Sequence, residues 1–343
     1  RIGSIYALER IARENKGYHV QVMEILCAYI RENAPASGAV EWPELEMFED
    51  ERHGPLRDDF NERFEVFRRA CENLKQKTKP RSDIQTALTV LGRRNQVQRK
   101  WEVEWHSKEA DFALDLRSIN LQGADLSKLH FRNANFVGVH MEGADLTSTN
   151  FQNAQLTGAK MTLAFMDGAS LRNANLVNAN MQAVDCGHAD LCNANLSSAR
   201  IQGSYLRQAQ MGEISLNEAG MQWADLNRAN IQCASLRNTR LQSTDLTDTN
   251  LQSADLANVT MDGADLFLTN FKTAYLESVS MRDVEHLNEA DFQGAALRKV
   301  DIKQNTRLLS MVSHCFGDAS VILPDDWDTP QYWPDFELDF IDF

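Results

Sequence analysis

The chain has 343 residues, 43% of them hydrophobic and 24% charged, which is ordinary for a protein that buries a sizeable core and leaves room for two or three domains. Its net charge is −14, a balance that argues against direct binding to DNA or RNA through a basic face, which needs an excess of Lys and Arg to neutralise phosphates. The six cysteines form no CxxC pair and no paired framework, which fits a reducing, cytoplasmic setting, and no stretch approaches the roughly 20 apolar residues of a membrane span.

The first hundred residues read as helical. Ser4 is placed to cap a helix with Ile5, Leu8, Ile11 and Ala12 on one face. A second helix carries Met23, Leu26, Cys27 and Ile30 and must stop near Ala34, because Pro35 follows. Residues 35–55, with Pro, Gly and an acidic run from Glu41 to Glu51, read as a loop or an insertion. Leu56, Phe60, Phe64, Phe67, Cys71 and Leu74 recur at three- and four-residue steps, the mark of an amphipathic helix. Its aromatic stripe reads as core; a peptide-binding groove is the sharper alternative. Ser82 or Asp83 can cap a fourth helix with Ile84, Ala87, Leu88 and Leu91 inward, ended by Gly92. A helical domain over residues 1–104 follows from these elements.

From Leu116 the period changes to five. Every fifth residue to Met281 is Leu, Met, Phe or Ile, with Cys186 the exception, and a small residue, usually Ala, stands two positions before each. Two inward positions two residues apart suit a short strand, but the three-residue step to the next small residue demands a corner, so the chain must coil around its own core. Columns recur at 20-residue spacing: Met141, Met161, Met181, Met221, Met261 and Met281; Gln182, Gln202, Gln222 and Gln242; Asp125, Asp145, Asp185, Asp225, Asp245 and Asp265. Four units per coil is the simplest explanation. One residue is inserted after Met281, and the register resumes at Leu287, Phe292, Leu297 and Ile302.

The A(D/N)LXX pattern, as in Ala124-Asp125-Leu126 and Ala174-Asn175-Leu176, resembles the pentapeptide-repeat family. That resemblance implies a mostly β fold, a right-handed quadrilateral β-helix (a β-solenoid), here of about nine coils with four pentapeptides in each, over residues 105–303. Residues Arg1 to Arg10 and Ser82 to Arg94 resemble the helical portion that precedes the repeats in one bacterial subgroup, many of whose members carry transmembrane helices further upstream; Arg1 is not a Met, so a membrane-tethering segment upstream is an expectation. Phe316 to Ser320, Leu323-Pro324 and Trp333-Pro334 resemble the same subgroup's C-terminal extension, and residues 304–343 are expected to be a cap or tail, with the repeat dissolving beyond Ile302. A solenoid's open ends would template edge-to-edge pairing, and the helical domain and extension are natural caps.

Chemistry is sparse. Cys186 points inward while His188, Asp190 and Cys192 lie outside around a corner, so the four do not suit tetrahedral zinc. His140 and Glu142 flank Met141 and could meet on one outer face, without a nucleophile to serve. No catalytic, cofactor or metal site is expected, and the Met and Gln columns read as a core stack and an outer amide ladder. Two functions remain: a non-catalytic scaffold for an unknown protein partner, with self-association open, in the cytoplasm or at the cytoplasmic face of a membrane; and DNA mimicry, as in family members that act on type II topoisomerases. For a partner the candidate face is the column Asp125, Asp145, Phe165, Asp185, Tyr205, Asp225, Asp245 and Asp265, carboxylates for steering and two aromatics for anchoring.

Overall fold

The computed structural model describes residues 1–45, 57–106, 112–302, 314–323 and 328–337, so Leu56 and the tail residues Phe340 and Phe343 lie outside the described residues. The chain forms two compact units, residues 1–45 with 64–190 and residues 46–63 with 191–343. The repeats make a β-solenoid, preceded by a region of five helices.

Unit 1 holds α1 (Ile2–Glu14), α2 (Lys16–Asn33), most of α3 (Arg57–Lys75), α4 (Ser82–Gly92) and α5 (Gln96–His106). Helix α2 ends at Asn33, as Pro35 requires, and buries Met23, Leu26, Cys27 and Ile30. Phe64, Phe67 and Cys71 of α3 are buried core residues. Three expectations change. Helix α1 starts at Ile2, so Ser4 lies inside it and caps nothing; Arg1 is the N-cap. Its buried face is Ile5, Glu9 and Ala12, and Ile11 is exposed, because the Glu9 carboxylate is drawn inward by Arg93 and Arg13. Neither Ser82 nor Asp83 caps α4: Arg81 holds the N-cap position, and Asp83 instead accepts from Arg81 and from the Tyr29 hydroxyl at 2.6 Å each. Helix α5 was not expected, although Asn95 and Gln98 form a reciprocal capping box, each side chain accepting from the other's amide at 3.0 and 2.9 Å.

The repeat's hydrogen bonds can be counted residue by residue. At Ala124 to Lys128, the Ala124 amide donates to the Leu121 carbonyl (3.0 Å) across a turn, while Leu126 and Lys128 donate to Asp145 and Thr147 one rung on (2.8 and 2.9 Å). The rung position is paired as well: the Asp145 amide donates to the Ala124 carbonyl at 2.9 Å. One amide in five is left, that of the residue after the central Leu. It donates to the Asp or Asn just before the centre: Ser127 to Asp125 (3.0 Å), Thr147 to Asp145 (3.0 Å) and Gly187 to Asp185 (3.2 Å) in unit 1, and Asn227 to Asp225 (3.1 Å) and Thr247 to Asp245 (2.9 Å) in unit 2. Backbone amides cannot be left unpaired at little expense, so the consensus Asp or Asn is the residue that completes the unit. The third turn residue has positive φ, as at Lys128 (60°) and Asn153 (59°), which a type II turn demands.

Centres are buried throughout Leu116 to Met281, with Leu126, Phe131, Met161, Cys186, Leu226 and Met261 all at 0% exposure, and so are the residues two before them except Leu129, which is half-buried. Parallel bridges join residues 20 apart, such as Asp125 with Asp145 and Asp225 with Asp245. In unit 2 the inserted residue shifts this offset to 21: β1 (Tyr275–Glu277) pairs in parallel with β2 (Ala296–Arg298), Leu276 opposite Leu297. The repeat does not dissolve at Ile302. Phe316 bridges Ala296 and Ile322 bridges Asp301, with Cys315 and Val321 buried at the inward positions. The extension supplies a further rung because Asp318 caps the Ser320 amide (2.9 Å) much as the consensus Asp does.

The start of the solenoid is met by the helical region at four successive rung positions. Arg31 donates to the Asp115 carbonyl, the Asn120 amide donates to the Ala34 carbonyl (2.7 Å), Gln85 clamps both backbone groups of Asp125, and the His130 amide donates to the Gly92 carbonyl (2.8 Å). Polar groups that would template another strand are thereby consumed.

Candidate interaction surface

The Asp column divides between the units. In unit 1, Asp125 bridges Asp145, Asp145 bridges Phe165 and Phe165 bridges Asp185; in unit 2 Tyr205, Asp225, Asp245 and Asp265 bridge in the same way. Each carboxylate gives one oxygen to its turn. Others are neutralised: Arg207 pairs with Asp225, and His286 Nδ1 lies 2.8 Å from Asp265. The aromatics are the outward apolar groups, Phe165 at 38% and Tyr205 at 41% exposure. Lys75 from α3 holds its ammonium 3.8 Å from the Phe165 ring centroid, a cation–π contact, and partial burial there lowers the lysine's pKa.

The Gln column differs from an outer ladder. In unit 1 it is covered by residues 39–45, which run extended along it. Gln122 accepts from the Val40 amide (2.9 Å) and donates to the Val40 carbonyl (2.6 Å). Gln182 accepts from the Leu45 amide (3.2 Å) and donates to its carbonyl (2.8 Å), and Gln182 is 0% exposed. Three rungs at about 4.8 Å and five extended residues at about 3.3 Å both span about 15 Å, so the two clamps fall in register. Between them Trp42 lies on Gly143, where a Cβ would stand 2.7 Å from the indole. Gly143 has φ +65°, so the missing side chain serves both the turn and the indole.

A family model of pentapeptide repeats matches residues 115–153, 124–162, 149–185, 166–197, 174–212, 194–232 and 234–272. The chain belongs to the pentapeptide-repeat family. Among solved structures it is similar to HetL, a pentapeptide repeat protein involved in heterocyst differentiation regulation from the cyanobacterium Nostoc sp. strain PCC 7120, at 25% identity over 53% of this chain and 84% of that one, TM-score 0.32. It is similar to full-length QnrB1, a plasmid-mediated fluoroquinolone resistance protein, at 14% identity over 55% of this chain and 95% of that one, TM-score 0.24. A pentapeptide repeat protein of the Arabidopsis thaliana thylakoid lumen is 24% identical over 38% of this chain and 70% of that one, TM-score 0.16. No curated protein matches the chain.

On this pentapeptide-repeat scaffold the remaining polar clusters are tied up locally. His140 Nδ1 stands 3.4 Å from the buried Glu142, whose other oxygen accepts from Gln122 (3.2 Å). His188 pairs with Asp167 (2.9 Å) and Asp190 with Arg172 (3.1 Å), each away from the buried Cys186. Burial raises the Cys27, Cys71 and Cys315 thiols to about 12 and pushes Cys186 up too, so these four are inert at neutral pH. One grouping has no signal in the repeat pattern: Asp265, Glu285 and His286 hold ligand atoms within 4.8 Å of one another. The inserted residue creates it by placing His286 at φ 52°, ahead of the short 3-10 turn Leu287–Glu289. Among the described residues no helix is long and apolar enough to cross a membrane.

Proposed function

We propose that the chain is a non-catalytic scaffold for protein–protein interaction, with helical residues 1–104, a right-handed quadrilateral solenoid over residues 105–303 of about nine coils with four pentapeptides each, and residues 304–343 as cap. The 20-residue bridge offset supports the coil size. The observation that carries the functional reading is the pair of outward aromatics, Phe165 and Tyr205, each flanked along its unit's rungs by Asp. Such a strip suits a basic protein surface, with rings as anchors and carboxylates as steering charges. DNA mimicry draws less support, because Arg207, Arg237 and Arg228 pair with Asp225, Asp255 and Asp248 and thin the negative field.

The test is replacement of Phe165 and Tyr205 by Asn, which supplies the turn acceptor both positions lack and so keeps the fold. A partner captured by the wild-type chain should lose at least tenfold in affinity for the double variant, as loss of two aromatic anchors implies. Unchanged affinity would remove this face from consideration.

A further inference from the structure

Unit 1 contains a cleft of about 410 Å³ between α5 and the first coils, a size that suits a small organic ligand. Its wall carries Arg94, Arg99, Lys100 and Arg132 against one acid, Glu102, and Phe112 and Leu114 supply apolar lining. Glu102 is already committed: its Oε1 stands 2.7 Å from Arg94 Nε and 2.8 Å from His19 Nε2. Arg94, with its side chain 3% exposed, spends further donor capacity on the Leu91 carbonyl and belongs to the structure of the wall. Arg99 donates to the Arg94 carbonyl but meets no carboxylate among the described residues, and neither do Lys100 and Arg132.

Three cations on one cleft, none paired with a carboxylate among the described residues, repel one another, a cost that a multiply charged anion relieves. The positive field is felt beyond the wall. His130 is held below its ordinary pKa, first by burial and then by the charges of Arg99 and Arg94. Guanidinium groups match phosphate oxygens in pairs, and an apolar lining beside them favours a ligand with a hydrophobic body over a bare ion.

We propose that this cleft binds a small organic phosphate, its dianionic head among Arg99, Lys100 and Arg132 and its apolar body against Phe112 and Leu114. A bound ligand would bridge α5 and the first coils, so occupancy stabilises the fold.

The probe is phenyl phosphate, titrated calorimetrically into the full chain, with inorganic phosphate and phenol as separate arms. Phenyl phosphate should saturate and raise the melting temperature, inorganic phosphate should bind more weakly, and phenol should not bind. Arg132→Glu, a change at an exposed side chain, and the milder Arg132→Gln should each weaken phenyl phosphate about tenfold or more, the effect of losing one charge-assisted contact. Circular dichroism melts of the free variants, expected to match the wild type, show that the loss is not unfolding. No saturable binding of phenyl phosphate, or equal affinity in the Arg132 variants and the wild type, would overturn the proposal.

Discussion

Replacing Gln182 with Met keeps the length of the side chain and removes both its donor and its acceptor. Gln182 is wholly buried and makes two bonds to Leu45, which is itself 4% exposed. If residues 39–45 stay in place, the Leu45 amide and carbonyl are stranded without partners, at about 1–3 kcal/mol each. If the segment lifts instead, water satisfies those groups and the loss is two ordinary hydrogen bonds, about 2 kcal/mol together. The second route is the less costly, so the segment should open more often, by about thirtyfold in its local equilibrium. Hydrogen exchange at the Leu45 amide reads this directly, and cleavage after Glu44 by a Glu-specific protease gives a second measure. Lys160→Met, at an exposed position outside the column, is the control. Exchange at Leu45 that is unchanged in Gln182→Met would mean that the amide clamp does not hold the segment.

Other consequences follow from the same accounting. Gly143→Ala forces a Cβ to within 2.7 Å of Trp42 at φ +65°, and should speed proteolysis at residues 39–45 as Gln182→Met does while leaving the solenoid's circular dichroism unchanged. Leu176→Asp buries an unpaired charge and should prevent folding of its coil, whereas Asn175→Asp keeps the acceptor for the Val177 amide and should be silent, and Asn175→Ala should lose about 1 kcal/mol; thermal melts that rank the three otherwise would refute the register. The Asp265 carboxylate raises the His286 pKa above 6.5, so the pair adds stability that is complete below 6.5 and lost as pH rises through the folded value; His286→Gln should flatten that part of the stability profile, and a flat wild-type profile would refute the pairing. Truncation before residue 304 removes Phe316, which accepts from the Leu297 amide and donates to the Ala295 carbonyl at 2.8 Å each, and the bared edge should drive self-association at rising concentration in size-exclusion chromatography.

The fold was legible wherever period carried it. Centres such as Leu176 and Met161 can only be inward, because a five-residue step that returns the same residue class 34 times leaves one way to bury it. What failed were positions set by a single distant partner. Glu9 stands four residues after Ile5 and three before Ala12, so helical spacing puts it on the inward face, but its charge argues for water until Arg93 from α4's C-terminal end meets it. The rung at Phe316 is hidden in the sequence because Gly317 stands where a central Leu would, and the step from Phe316 to Ile322 is six residues instead of five, while Cys315 and Val321 keep the small inward positions. The Gln column was visible as a column, but that its amides close on the backbone of Val40 and Leu45 depends on contacts 82 and 137 residues apart in sequence, which no local pattern encodes. Helix α5, by contrast, has a local signal, since Asn95 and Gln98 spell a capping box.

The turn's one unpaired amide separates outward residues that fold the chain from those that do something besides. An Asp or Asn before the centre needs no further reason, since it satisfies the one amide the backbone cannot reach. A departure from it forgoes a bond worth about 1 kcal/mol. Lys160 and Gln155 forgo it too, but they offer water a polar group in exchange. Phe165 and Tyr205 forgo the bond and in addition keep 38% and 41% of their surface exposed, so each is unfavourable twice over for an isolated chain. Lys75 offsets part of this at Phe165, through its ammonium 3.8 Å from the ring. No such cation is in place over Tyr205 among the described contacts, and of the aspartates along its rungs Asp245, which has no ion pair among the described residues, is the one left to draw a cation from a partner. Of the two aromatics, Tyr205 is therefore the one whose replacement should weaken a basic partner more, and the single variants separate the two contributions.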